Sequence, residues 1–117
     1  MESQLIISWV IGLFISIIFL ILGAILLFGK VKKNMFFGYR TPLSMENEEN
    51  WKYANKILAI IVFISGLILL VETIALNILE TGMKIFMPVF MGSLLLAVVV
   101  MCIVPEIFLR KYINKDK

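Results

Sequence analysis

Three places in this 117-residue chain carry side chains that could do chemistry. The first is a polar stretch from Asn34 to Lys56, which gathers Asn34, Gly38, Tyr39, Arg40, Thr41, Pro42, Ser44, Trp51, Asn55 and Lys56 into one connection. The second is Glu72, the only charge between Ile57 and Leu79. A carboxylate inside an apolar run is costly and is a functional-site candidate by default. The third is Cys102, the one cysteine in a chain without histidine. That inventory allows no Cys/His zinc cluster, no intramolecular disulfide and no imidazole general base. A Gly-rich phosphate loop and a nucleophile elbow are also missing. The chemistry therefore reads as binding, with no enzyme activity, no cofactor and no metal, and Cys102 reads as a small buried hydrophobe.

The elements that must position these groups follow from composition. With 62% hydrophobic and 16% charged residues, the chain lies outside the range of soluble domains. Apolar runs cover Leu5 to Phe28, Ile57 to Leu79 and Ile85 to Val104, each near the roughly 20 residues that cross about 30 Å of hydrocarbon. The expected fold is all-α: one integral membrane domain over 1–117, a three-transmembrane-helix bundle with a structured cytoplasmic loop between helices one and two. Its helices span about 5–29, 45–79 (including a cytoplasmic extension) and 84–110. The first run has no basic flank before it and exceeds the roughly 7 to 15 residues of a signal-peptide core, so it reads as a permanent helix.

Charge sorting sets the expected orientation. Six basic residues lie from Lys30 to Lys56, one (Lys84) in the second connection and four from Arg110 to Lys117. The positive-inside rule then puts the N-terminus outside and the long loop and C-terminus in the cytoplasm. The net charge of +3 follows from this sorting and from attraction to anionic lipid, with no need of nucleic acid.

Lipid supplies no hydrophobic drive between helices, so close packing needs small residues. Helix one offers Ser8, Gly12 and Ser16, then Gly23; helix two offers Ala59, Gly66 and Thr73; helix three offers Gly92, Ser93 and Ala97. Internal bundling and homo-oligomerisation use the same pattern. Gly82, in the short Glu80 to Lys84 connection, suits a left-handed turn that ends helix two and makes helices two and three antiparallel neighbours. Pro105 is expected to bend or end helix three, and Glu106 and Arg110 stand at a pairing distance of four residues.

The long loop has more order than a linker. Gly38 suits a positive backbone dihedral, and Pro42 pushes Thr41 out of the helical region, so a fixed turn is expected there. Ser44 then serves as N-cap, with Glu46 and Glu48 near the positive end of the next helix. On that helix Trp51, Asn55 and Leu58 share a face. Singly, Trp51 and Tyr53 also fit interfacial aromatics, and Arg40 an ordinary positive-inside residue touching lipid phosphate.

The string Asn34-x-x-x-Gly38-Tyr39-Arg40-Thr41-Pro42-x-Ser44-Met45, followed by Trp51-x-x-x-Asn55-Lys56, resembles the signature of the SdpI family. The likeness covers the loop and, more loosely, helices one and two. Members of that family are bacterial membrane proteins named for immunity to a secreted sporulation-delaying toxin, and the founding type has further transmembrane helices. The resemblance implies a protein of the bacterial cytoplasmic membrane that confers immunity to a secreted peptide toxin, recruits a soluble transcriptional repressor to the membrane, or does both. The alternative is a small transporter or transporter subunit built on Glu72. That residue lies about 22 Å along helix two from Ile57 at 1.5 Å per residue, toward the outer interface, where a solvated carboxylate is cheap.

Overall fold

The computed structural model describes residues 2–28, 42 and 45–115. Asn34, Gly38, Tyr39, Arg40, Thr41 and Ser44 lie outside the described residues. Three helices follow one another, α1 (Glu2–Phe28), α2 (Glu48–Ile78) and α3 (Met83–Lys115), and each is long and apolar enough to cross a membrane. At 1.5 Å per residue they run about 40, 46 and 50 Å, so α2 and α3 overreach a hydrocarbon core of about 30 Å. The surplus falls where α2 begins with Glu48, Glu49, Lys52 and Lys56 and α3 ends with Glu106, Arg110 and Lys111. Charged turns at one common end are what that overreach requires.

α1 and α2 form the most intimate pair, antiparallel, and α3 lies chiefly against α2. Their seam is made by the two small-residue stripes. Gly12 faces Thr73, Gly23 faces the backbone of Phe63, and Gly66 faces Leu20. A side chain at Gly23 would place its Cβ 2.8 Å from the Phe63 backbone nitrogen, so only glycine allows the two backbones to come this close. Ser16 Oγ donates to Gly12 O at 2.6 Å and Thr73 Oγ1 to Leu69 O at 2.8 Å, which satisfies buried hydroxyls without help from water.

α3 is pinned at both of its ends. Near its start Phe86 and Phe90 stack at 5.2 Å and are buried with Leu69 among Ile11, Ile15, Phe19 and Leu76, so all three helices share this cluster. Near its finish Leu109 packs on Ala54 beside Tyr53, Leu58, Tyr112 and Ile113, and Tyr53 stacks on Tyr112 at 4.3 Å. Ser93 lies between the two clusters, but Gly92 is exposed with open space around it and takes no part in the seam.

Several helix boundaries differ from the sequence reading. The N-cap of α2 is Asn47, whose side chain accepts from Asn50 N at 2.7 Å, where the sequence reading expected the cap three residues earlier. A cap at Asn47 puts Glu48 and Glu49 in the first turn, where two carboxylates meet the positive helix end. At the other end of α2, Glu80 N donates to Asn77 O and Thr81 N to Leu76 O, the hydrogen-bond pair of a Schellman cap. The left-handed residue of that cap is Glu80, at φ 55°, while Gly82, at φ 81°, precedes α3 and its carbonyl accepts from Ile85 N and Phe86 N. Helix three does not end at Pro105, which is buried while α3 runs through it to Lys115. Losing one backbone bond at a proline costs less than exposing a whole helix end close to hydrocarbon.

Candidate functional site

The head of α2 holds the described part of the polar signature. Glu48 and Glu49 open the helix, and Asn50, Trp51, Ala54 and Asn55 then turn inward together. Trp51 is 1% exposed and Asn55 5%. An aromatic that merely marks the membrane interface would keep one edge in contact with water or headgroups, so Trp51 is a packed residue and not an interfacial anchor. Asn55 Nδ2 donates to Trp51 O at 2.9 Å, one helical turn back, which fixes the carboxamide beside the indole's own backbone. Lys56 and Pro42 are exposed.

Sequence reading passed over three residues here. Asn50 is buried; its backbone nitrogen is held by Asn47, and its Nδ2 donates to Glu46 Oε2 at 3.4 Å. Tyr112 Oη donates to Glu49 Oε1, so the last turns of α3 are tied to the first turn of α2. The signal for Asn50 was present as Asn-x-x-Asn at a helix start. Nothing local could have paired residues 49 and 112, because that contact depends on how α3 leans on α2. Arg110 Nε lies 4.0 Å from Glu106 Oε1, the i,i+4 pair expected, at an exposed position where such pairs contribute little.

Glu72 lies on the face of α2 that meets α3. Ser93 Oγ donates to its Oε2 at 2.8 Å, and its Oε1 is buried with no hydrogen-bond partner among the described residues. A solvated carboxylate at the outer interface is therefore not what the structure contains, because Ser93 and the packing of α3 remove it from open contact. Cys102 departs from expectation the other way: it is exposed on the outer face of α3. A helix flanking the bundle has most of its circumference turned to lipid, and an apolar run does not say which residues face it.

A second polar centre sits at the opposite end, where α1 begins and α2 hands over to α3. Asn77 Nδ2 donates to Thr73 O at 2.8 Å, which orients its amide so that Oδ1 accepts from Ser8 Oγ across the α1–α2 seam. Gln4, Leu5, Ser8, Asn77, Glu80, Gly82 and Met83 line a cleft of about 190 Å³ there. A longer groove of about 310 Å³, lined by Ser65, Leu69, Ser93 and Ala97 among others, runs between α2 and α3. No three metal-capable side chains converge among the described residues.

Comparison with known proteins gives one positive result. Residues 30–105 match the family model described as SdpI/YfhL protein family. The match takes in the polar connection, α2 and α3 as far as Pro105, and leaves α1 outside, whereas the resemblance read from the sequence extended over helices one and two. No curated protein and no solved structure matches the chain.

Proposed function

The chain belongs to the SdpI/YfhL family and is a multi-pass membrane protein, and from that premise we propose that it is a non-enzymatic immunity protein of the bacterial cytoplasmic membrane. In this reading it protects the cell from a secreted antimicrobial peptide and can hold a soluble transcriptional repressor at the membrane. Its N-terminus is outside; the connection between α1 and α2, the head of α2 and the end of α3 face the cytoplasm. Support for that orientation is the count of ten basic residues in those two segments against Lys84 alone in the α2–α3 connection.

The observation that carries the proposal is the buried head of α2. Asn50, Trp51 and Asn55 are all inside although they sit in the part of the helix that overreaches the hydrocarbon. Burying two carboxamides costs free energy unless each is hydrogen-bonded. A segment that needed only to enter a membrane would not concentrate them there. These residues fall within the family match and come ten or more residues after Arg40, in the segment where Gly38 and Pro42 lead one to expect a fixed turn. Arg40 is proposed as the fixed cation of that turn, its planar five-donor fork holding loop carbonyls or a carboxylate, with Asn55 joining the turn to α2.

One observation favours the transporter reading: Glu72 Oε1 is buried with no hydrogen-bond partner among the described residues. The two readings separate in cells exposed to the toxic peptide, each variant compared at equal membrane abundance. Immunity expects Arg40→Lys and Asn55→Ala to lose protection and Glu72→Gln to keep it. Protection that survives both loop substitutions and collapses with Glu72→Gln would overturn the proposal in favour of coupled transport.

A further inference from the structure

The cleft at the end of the bundle opposite the polar signature has no role in the packing described above. All three helices contribute to it: Gln4, Leu5 and Ser8 from α1, Asn77 from α2, Met83 from α3, with Glu80 and Gly82 from the connection. Among the described residues its lining contains one charged side chain, that of Glu80, and no lysine or arginine. The start of α3 opens on the same space, but a helix N-terminus is equivalent to at most about half a positive charge. The full charge of Glu80 outweighs it, so the cleft selects a cation.

Size and lining narrow the ligand further. At about 190 Å³ the cleft is smaller than the roughly 300–1,000 Å³ of sites that enclose a small molecule. It suits a single side chain of a larger ligand. Leu5 and Met83 offer an apolar wall for a hydrocarbon stem, and Gln4, Ser8, Asn77 and Glu80 supply hydrogen-bonding groups for a polar tip. A stem with a charged, donor-only head is the chemistry of a lysine side chain. Glu80 adds an independent hint: it occupies the left-handed position of the α2 cap at φ 55°, where glycine is the residue that fits without strain. Strain of that kind is retained at sites of function.

We infer that this three-helix cleft is a binding site for the lysine side chain of an amphipathic peptide. The inference rests on the peptide-binding reading of the protein and locates recognition on the face that reading places outside. The methyl group of Met83, which lines the cleft, reports on it; Trp51, at the other end of the bundle, is an internal control.

The experiment uses the full chain in phosphatidylcholine nanodiscs with ¹³C-methyl methionine and ¹⁵N-indole labelling, titrated with a synthetic amphipathic peptide bearing one lysine and with its norleucine counterpart. Expected is a saturable shift of the Met83 methyl signal with the lysine peptide, a Trp51 signal that stays put, and at least a tenfold weaker response to norleucine. Glu80→Gln, an exposed substitution, should weaken the lysine peptide at least tenfold while the Trp51 signal shows the fold intact. Equal affinity of the two peptides, or equal affinity of Glu80→Gln and wild type, would overturn the inference. So would a Met83 shift on adding phosphatidylethanolamine that blocks the peptide, because the ammonium group would then come from lipid. Failure of the wild-type chain to bind the lysine peptide, in a chain that protects cells, would refute this site and leave the immunity proposal standing.

Discussion

Replacing Gly12 with alanine tests whether the α1–α2 seam is held as tightly as its geometry implies. The new methyl would lie 2.9 Å from Thr73 Cβ, with Thr73 Oγ1 and Cγ2 closer still. Carbon atoms pack at about 3.5–4.0 Å, so the Cβ contact alone calls for roughly 0.6–1.1 Å of separation. Thr73 cannot turn out of the way. Two of its three Cβ substituent positions already face Gly12, so every staggered rotamer leaves a heavy atom there, and Oγ1 is engaged with Leu69 O. The helices must part instead, which strains the Ser8–Asn77 hydrogen bond one turn away. Overpacking of this kind costs about 1–3 kcal/mol, and an interhelical hydrogen bond in a membrane protein about 0.6 kcal/mol. A loss of about 2 kcal/mol is expected. Reversible unfolding in mixed micelles with rising detergent denaturant, followed by tryptophan fluorescence, would measure it. The decisive comparison is a double-mutant cycle with Thr73→Gly, which removes the three atoms nearest the new methyl and cancels the intrinsic cost of the second glycine. A coupling above about 1 kcal/mol is expected, and one below about 0.5 kcal/mol, within the range of independent sites, would refute the contact.

Two further outcomes follow from other parts of the molecule. Glu80→Gly should stabilise the protein by about 0.5–1 kcal/mol in the same unfolding assay, because a left-handed residue other than glycine costs about 1–2 kcal/mol and glycine's extra chain entropy returns part of that gain; no change or a loss would show that Glu80 is not strained. Reporter fusions after Lys117 should be active only with a reporter that works in the cytoplasm, and an extracytoplasmic signal there would overturn the orientation argued from basic residues.

The sequence alone was enough to mark the three spans, because each is a run of apolar residues of bilayer length and that property is additive along the chain. It also marked the stripes Ser8, Gly12, Ser16 and Ala59, Gly66, Thr73, since helical spacing alone puts such residues on one face. What those faces meet was open: the same stripe serves a neighbouring helix or a second copy. Tertiary structure decided that the stripes of α1 and α2 close on each other, while Gly92 of α3 looks outward. It also decided burial. Trp51 is packed inside, where an interfacial place had fitted it as well, and Cys102 is exposed where a buried place was expected, because burial belongs to the neighbours a residue acquires and not to the residue. Glu72 reads from sequence as a carboxylate near water, and only the approach of α3 gives it the Ser93 hydroxyl as a donor. Helix ends were the least legible feature. Asn47 and Ser44 are nearly equal caps, and Gly82 and Glu80 compete for one left-handed turn. Such local contests are settled by the packing of the elements on either side, which no window of sequence contains.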